Sequence, residues 1–207
     1  MAQAKQAKTL TDSQIARMLR EVEHSRYPLR DRVMVLLSVR AGLRAKEIAL
    51  ATWGMVLDAD GNVSDTLELH DKASKGSKGG REIPLHPELR SALVALLAAP
   101  SSSGAALLAN GASVTAETRI CHSEREFGLA PGSVQIFFQR LYQRLGLKGA
   151  SSHSGRRTFV TSLAKKIVAA GGSLRDVQQL AGHASLSTTQ RYIEGSSDAK
   201  RRAIGML

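Results

Sequence analysis

Four short stretches of this 207-residue chain carry side chains able to do chemistry. "AGLRAKEIA" puts Arg44 at the head of a helical pattern, and "KASKGSKGGREIPL" holds Lys72, Lys75 and Lys78 ahead of Arg81. "HSGRR" sets His153 three residues before Arg156, with Arg157 next to it, and "GHASLSTTQRYIEG" holds His183 and, nine residues on, Arg191-Tyr192. Guanidinium groups stay charged and offer forked donors that fit anionic oxygens. Imidazole and ammonium groups carry protons, and a phenol is a nucleophile once its proton has gone. Together these side chains suit an anionic, oxygen-rich substrate.

Taken singly, each has a plainer explanation. Arg44 could be a first-turn residue paired with Glu47. The hairpin lysines could be edge-strand charges that discourage aggregation. A His and an Arg three apart share a helix face and most often point at water. His183, just after a glycine, could be a helix-end cation favoured by the macrodipole. Tyr192 could bury its ring and expose its hydroxyl, as most tyrosines do.

The bulk composition narrows the field. Lys and Arg total 29 against 18 Asp and Glu, a formal net charge of +11, so an anionic partner is expected: nucleic acid first, an acidic membrane surface second. Hydrophobic residues make up 43% of the chain but aromatics only 4%, which favours helix packing by Ala, Leu, Val and Ile. The single cysteine, Cys121, excludes an internal disulfide framework and fits a reducing compartment. The polar start "MAQAKQAKTL" has no signal-peptide core, and the apolar run Ala92–Ala99 is too short to span a bilayer. Cys121 and His122 are adjacent, which is poor ligand geometry. With no carboxylate cluster and no P-loop pattern, neither a metal nor a nucleotide cofactor is expected.

The elements that must position these residues are mostly helical. Residues 1–10 read as a disordered basic lead-in. Thr11 and Gln14 form a capping-box pattern before Ile15, Met18, Leu19 and Val22 at helical spacing. Pro28 opens a second helix that stops near Gly42, and "RAKEIALATW" follows as a short third. The period then changes. A turn at Asp60–Gly61 separates two strand-like runs, and the glycine-rich lysine hairpin leads into a third, giving a small three-stranded antiparallel sheet. "HPELRSALVALLAAP" is a helix with Pro87 in its first turn. Residues 101–130 give no firm period. Helices return at about Val134–Leu145 and in "SHSGRRTFVTSLAKKIVAAGG". Ser173 with Asp176, then Ser187 with Gln190, cap two more, placing Tyr192 in the second turn of the last.

In order and context the four motifs resemble the catalytic domain of the tyrosine recombinases, the phage-integrase family: Arg, hairpin Lys, His-x-x-Arg, Gly-His, then Tyr. The resemblance runs from about Thr11 to the end. It departs at Gly155 and Arg157, which replace the Leu and second His of a common His-x-Leu-Arg-His pattern, and the hairpin is one residue longer than usual. The resemblance implies that family's DNA breaking-rejoining fold, mainly α with the small sheet. It assigns residues 11–195 to the catalytic domain and 196–207 to a tail that docks on a neighbouring subunit. It also implies double-stranded DNA as partner, a dimer to tetramer on DNA, accessory DNA-bending or directionality proteins, and a cytoplasmic, nucleoid-associated place in a bacterium, phage or plasmid. Only about ten residues precede the first helix. That suits either a domain cut from a longer protein or a short single-domain form similar to the fimbrial phase-switch invertases.

The resemblance also assigns roles. Arg44 and Arg156 grip the non-bridging oxygens of a phosphodiester, and His153 and His183 add hydrogen bonds or move a proton. Tyr192 attacks phosphorus to give a 3′-phosphotyrosine bond, with His153 as candidate base. Lys75, with Lys72 and Lys78 in reserve, protonates the leaving 5′ oxygen. Lys72, Lys78, Arg81, Arg157 and Arg191 are further candidate DNA contacts. Preorganised donors of this kind are worth roughly 3 kcal/mol each. The link conserves bond energy, so strand exchange needs no ATP, metal or other cofactor. Two other readings compete: a non-catalytic helix-turn-helix-like DNA binder or inactive recombinase homologue, and a type IB topoisomerase.

Overall fold

The computed structural model describes residues 7–70, 80–99, 114–122 and 128–192. They fall into two units, residues 1–159 and 160–207. The hairpin tip with Lys72, Lys75 and Lys78, most of the unreadable stretch 101–130, and the tail from residue 193 lie outside the described residues.

In the first unit, helix α1 (Asp12–Glu23) starts where its capping box puts it: the Thr11 hydroxyl accepts from the Gln14 amide at 3.2 Å, and Gln14 Oε1 accepts from the Thr11 amide at 2.9 Å. Its buried stripe is Ile15, Met18, Leu19 and Val22. Helix α2 (Pro28–Arg40) is buried continuously from Val33 to Val39, as expected of a helix apolar on nearly every face. It packs on α1, on the short α3 (Ala45–Leu50) and on α4 (Pro87–Leu97); α3 in turn packs on α5 (Pro131–Arg144). Pro131 at the first helical position starts α5 three residues before the expected Val134. The largest fully buried side chains, Phe138, Met18, Met34, Leu36, Leu37 and Leu43, define the core between these helices.

The sheet is smaller than expected. Among the described residues it has two antiparallel strands, β1 (Thr66–Leu69) and β2 (Arg81–Pro84), with Leu67 opposite Ile83 and Leu69 opposite Arg81. The first strand-like run makes only a single bridge, Leu57 to Val63. Residues at both ends of the run explain the loss. Trp53–Met55 forms a 3-10 turn whose Trp53 carbonyl takes the Val56 and Leu57 amides at 2.9 and 3.0 Å, and beyond it the Asp58 carboxylate accepts the Asn62 amide at 2.8 Å.

The end of the lead-in is held rather than loose. The Lys8 amide donates to the Gly149 carbonyl at 3.2 Å, Leu10 is buried, and the Leu10 amide donates to Thr158 Oγ1 at 2.7 Å. Leu10 pays its ordering entropy by joining the core, an opportunity that composition alone does not reveal.

Helix α6 (Ser154–Lys166) carries the chain into the second unit, which continues with α7 (Leu174–Ala181) and α8 (Leu186–Gln190). Ser173 and Asp176 cap α7 as expected, and their hydrogen bonds hold the Asp176 carboxyl below the usual carboxylate range. The cap of α8 is Ser185, whose hydroxyl accepts from the Ser187 amide at 3.2 Å, not Ser187 itself. Tyr192 therefore lies two residues past the helix, in its closing turn, with its amide on the Thr189 carbonyl at 3.0 Å. No helix among the described residues is long and apolar enough to cross a membrane.

Candidate active site

The first unit contains Arg44, Arg81, His153, Arg156 and Arg157. Arg44 is the residue just before α3. Its amide donates to Glu47 Oε2 at 2.7 Å, and its Nη1 donates to Glu47 Oε1 at 2.8 Å. The pairing with Glu47 is thus real, and it orients the arginine: the side chain stays 30% exposed while the carboxylate under it is 1% exposed. Arg81, expected as a DNA contact, places Nη1 and Nη2 on the same carboxylate at 3.1 and 3.0 Å and is itself only 11% exposed. Burial works against charge on Glu47, but Arg81 first and Arg44 second hold its carboxyl below the ordinary range.

Arg156 is buried, and its Nη1 donates to the Gly42 carbonyl at 2.7 Å. Gly42 ends α2 with φ +65, a left-handed conformation that suits glycine, and lies two residues before Arg44. One loop therefore carries Arg44 and grips Arg156. His153 is exposed, immediately before α6, where its carbonyl accepts from the Arg157 amide at 2.9 Å. Ser151 and Ser154 lock that turn: the Ser154 amide donates to the Ser151 carbonyl at 2.8 Å, and the Ser151 amide to Ser154 Oγ at 3.0 Å. Gly155, the departure from the common motif, has its reason in α2. A Cβ there would lie 2.1 Å from Ser38 Oγ, so the close helix contact leaves no room for a leucine. Arg157 is half-buried.

The second unit contains His183, Arg191 and Tyr192. Gly182 closes α7 with φ 59, and the His183 amide then donates to the Gln178 carbonyl at 3.0 Å while Gln178 Nε2 donates to the His183 carbonyl at 3.0 Å. The imidazole is buried, with Nδ1 hydrogen-bonded to the buried Thr189 hydroxyl at 3.0 Å. Its ring stacks on that of Tyr192, with centroids 5.4 Å apart and planes 19° from parallel. The tyrosine thus keeps its ring half-buried against the histidine. Arg191 is exposed.

Of the other tyrosines, Tyr142 is poorly placed for nucleophilic work. Tyr142 is buried beside Phe138, its hydroxyl has no partner among the described residues, and burial pushes its phenol well above the usual range. The Tyr27 ring lies 4.2 Å from the Arg30 guanidinium and 5.3 Å from that of Arg26. The Cys121 thiol is fully buried and pushed up to about 12, which makes it inert.

Sequence reasoning missed Glu47 as an organiser, the Gly42 carbonyl and Thr189. Only the first left a signal, in the Arg44-x-x-Glu47 spacing.

Residues 8–198 match the model of the phage integrase family, and the chain belongs to that family. It is similar to the tyrosine recombinase XerA of Thermococcus kodakarensis, 29% identical over 196 residues that cover 95% of this chain and 61% of that protein. It is 31% identical to tyrosine recombinase XerC of Xanthomonas campestris pv. campestris over 79% of this chain and 44% of the relative. A crystal structure of XerA recombinase shares the fold, with TM-score 0.70, 22% identity, and coverage of 99% of this chain and 66% of that one. A XerH recombinase bound to its difH substrate matches with TM-score 0.66 and 19% identity over 96% of this chain and 53% of that one. The chain thus spans less than two thirds of the length of these relatives.

Proposed function

We propose that this chain is the catalytic part of a site-specific DNA recombinase that cuts and rejoins strands through a 3′-phosphotyrosine link. The observation that carries the reading is the paired arginine arrangement of the first unit: one loop presents Arg44 and, through the Gly42 carbonyl, fixes the buried Arg156. A guanidinium cannot lose its charge on burial, so a fixed buried one is a standing receptor for an oxyanion. Membership in the phage integrase family and likeness to a XerH bound to DNA support the substrate class.

In this reading Arg44 and Arg156 hold the non-bridging oxygens of the scissile phosphate. Tyr192 Oη attacks phosphorus, its proton passes to His153, and the P–O5′ bond breaks. Lys75, with Lys78 and Lys72 as alternatives, gives the departing 5′ oxygen its proton. His183, fixed by Thr189 and stacked on Tyr192, steadies the nucleophile and hydrogen-bonds the phosphate. A second strand's 5′ hydroxyl then reverses the sequence and restores the phenol. Arg157 and Arg191 contact the DNA backbone. The tail docks on a neighbouring copy, and the chain works as a dimer to tetramer on DNA.

The helix-turn-helix rival loses ground at α8. Five residues rise only about 7.5 Å, too little to lie along a major groove.

The test is incubation with a nicked suicide duplex followed by a denaturing gel. A protein–DNA adduct that disappears in Tyr192→Phe is expected. An adduct that survives Tyr192→Phe, or full cleavage by Arg44→Ala, overturns the assignment. Relaxation of an arbitrary supercoiled plasmid would instead favour a topoisomerase.

A further inference from the structure

A carboxylate in contact with a substrate-binding arginine poses an electrostatic difficulty. Glu47 orients Arg44 through two hydrogen bonds, to its amide and its Nη1. A negative charge 2.8 Å from the guanidinium also cancels most of the attraction that this arginine could offer a phosphate. An Arg44–Glu47 pair alone is neutral.

We propose that Arg81 is a positioning residue of this site, spanning both oxygens of Glu47 so that the carboxylate orients Arg44 without neutralising it. The inference rests on the recombinase reading for its substrate. The geometry is on one carboxylate: Oε1 accepts from Arg44 Nη1 at 2.8 Å and Arg81 Nη1 at 3.1 Å, and Oε2 from the Arg44 amide at 2.7 Å and Arg81 Nη2 at 3.0 Å. Two guanidiniums and one carboxylate leave a net single positive charge. The partition of exposure shows where that charge faces. Arg81 is turned inward at 11% exposed and Glu47 is closed off at 1%, while Arg44 keeps 30% of its side chain open. Arg81 is also fixed by its backbone, since it pairs with Leu69 in the two-stranded sheet. Its forked donors are therefore delivered to Glu47 by a rigid element rather than by a wandering side chain.

The experiment compares the chain with Arg81→Met, Arg81→Lys and the double variant Arg81→Met/Glu47→Gln. Single-turnover adduct formation on the suicide duplex is followed below the unfolding transition of each. Arg81→Met is expected to slow cleavage at least about tenfold, the scale of losing a preorganised charge. The double variant restores the net positive charge and is expected to recover most of that loss, although it removes one more native group. Arg81→Lys keeps the charge and falls between the parent and Arg81→Met. A purely structural role predicts the reverse, with the double variant slower than the single one. Arg81→Met cleaving at the parent rate, or a double variant no faster than Arg81→Met, overturns the proposal.

A second readout does not need catalysis. Carboxyl carbon NMR follows the titration of Glu47 in the parent and in Arg81→Met. The parent is expected to titrate below the ordinary glutamate range, and the variant is expected to shift upward. An unshifted titration in Arg81→Met overturns the proposal even if the parent forms adduct. If the parent forms no Tyr192-dependent adduct, the recombinase reading fails by itself, and the titration still decides whether Arg81 neutralises Glu47.

Discussion

Gly42→Ala tests the loop that joins the two arginines. An alanine Cβ at this position would lie 2.4 Å from Phe159 Cδ1 and 2.9 Å from Cγ. Ordinary carbon contacts begin near 3.5 Å, so the ring must retreat by about 1 Å or the loop must open. The backbone adds its own term: φ is +65, and an L-residue there costs roughly 1–2 kcal/mol. Overpacking of this kind typically adds about 1–3 kcal/mol. The sum, about 2–5 kcal/mol, should lower the thermal midpoint by roughly 10 °C in a chain of this size.

The functional effect should appear even in chains that are still folded. The Gly42 carbonyl holds Arg156 Nη1 at 2.7 Å, so any loop movement that relieves the alanine also moves the guanidinium. A displacement of about 1 Å at a catalytic group can cost about 100-fold in rate. The assays are thermal and urea unfolding followed by circular dichroism, with single-turnover cleavage measured where the variant is still folded. Phe159→Ala in the same chain separates the two terms, because removing the ring relieves the overlap but not the φ penalty. The two substitutions should then be non-additive by about 1–3 kcal/mol. A Gly42→Ala chain with the parent's midpoint and rate, or strict additivity with Phe159→Ala, would refute the reasoning.

Three further substitutions probe the same framework. Gly155→Leu restores the residue common in the motif but drives a Cβ to 2.1 Å from Ser38 Oγ, so urea unfolding should show a loss of about 2 kcal/mol or more, partly relieved by Ser38→Gly. Tyr142→Phe deletes a buried hydroxyl with no partner among the described residues, so stability should hold within about 1 kcal/mol or rise, and the covalent adduct should form as in the parent. His122 is buried and, through burial first and the nearby Arg30 second, its imidazole resists protonation more in the folded state than in the unfolded state. The unfolded chain then binds the extra proton first, so stability is unaffected above the ordinary histidine value of 6.5 and declines as pH falls from there toward the depressed folded value. His122→Asn should flatten that decline in urea midpoints compared at about pH 7.5 and about pH 5.5.

Local chemistry was legible in the sequence wherever both partners lie within a turn of one another. The Thr11–Gln14 and Ser173–Asp176 boxes and the prolines at 28 and 87 set helix starts that the structure keeps. The errors have local causes too. A 3-10 turn at Trp53–Met55 took the Val56 and Leu57 amides that a third strand would have used, Pro131 started α5 early, and two serines competed to cap α8, with Ser185 winning. Long-range partners left no trace. Arg81 is 34 residues from Glu47, and Arg156 is 114 from Gly42. Periodicity records which face of an element is apolar, not which distant carbonyl or carboxylate a guanidinium will find. Charge and residue type therefore pointed to the candidate site, while its supporting contacts had to come from the fold.

Those supporting contacts share one physical logic. On the proposed reading each arginine must be held still, yet each must keep its charge for a phosphate. Arg156 is gripped by the Gly42 carbonyl, a neutral dipole that fixes direction and carries no opposing charge. Arg44 is gripped by a carboxylate, which fixes direction more strongly but brings a full negative charge. That difference makes a third guanidinium useful at Arg44, and Arg81 sits at the carboxylate. Lysine would not substitute at either place. A compact ammonium can reach one oxygen, but it cannot hold an internal acceptor with one arm of a planar fork while presenting the other arm to a phosphate. Arg156→Lys should therefore lose cleavage nearly as completely as Arg156→Ala while leaving salt-sensitive DNA binding close to the parent's, because the charge survives and the fork does not. Cleavage by Arg156→Lys close to the parent's rate would show that charge alone, and not the fork, is what this position supplies.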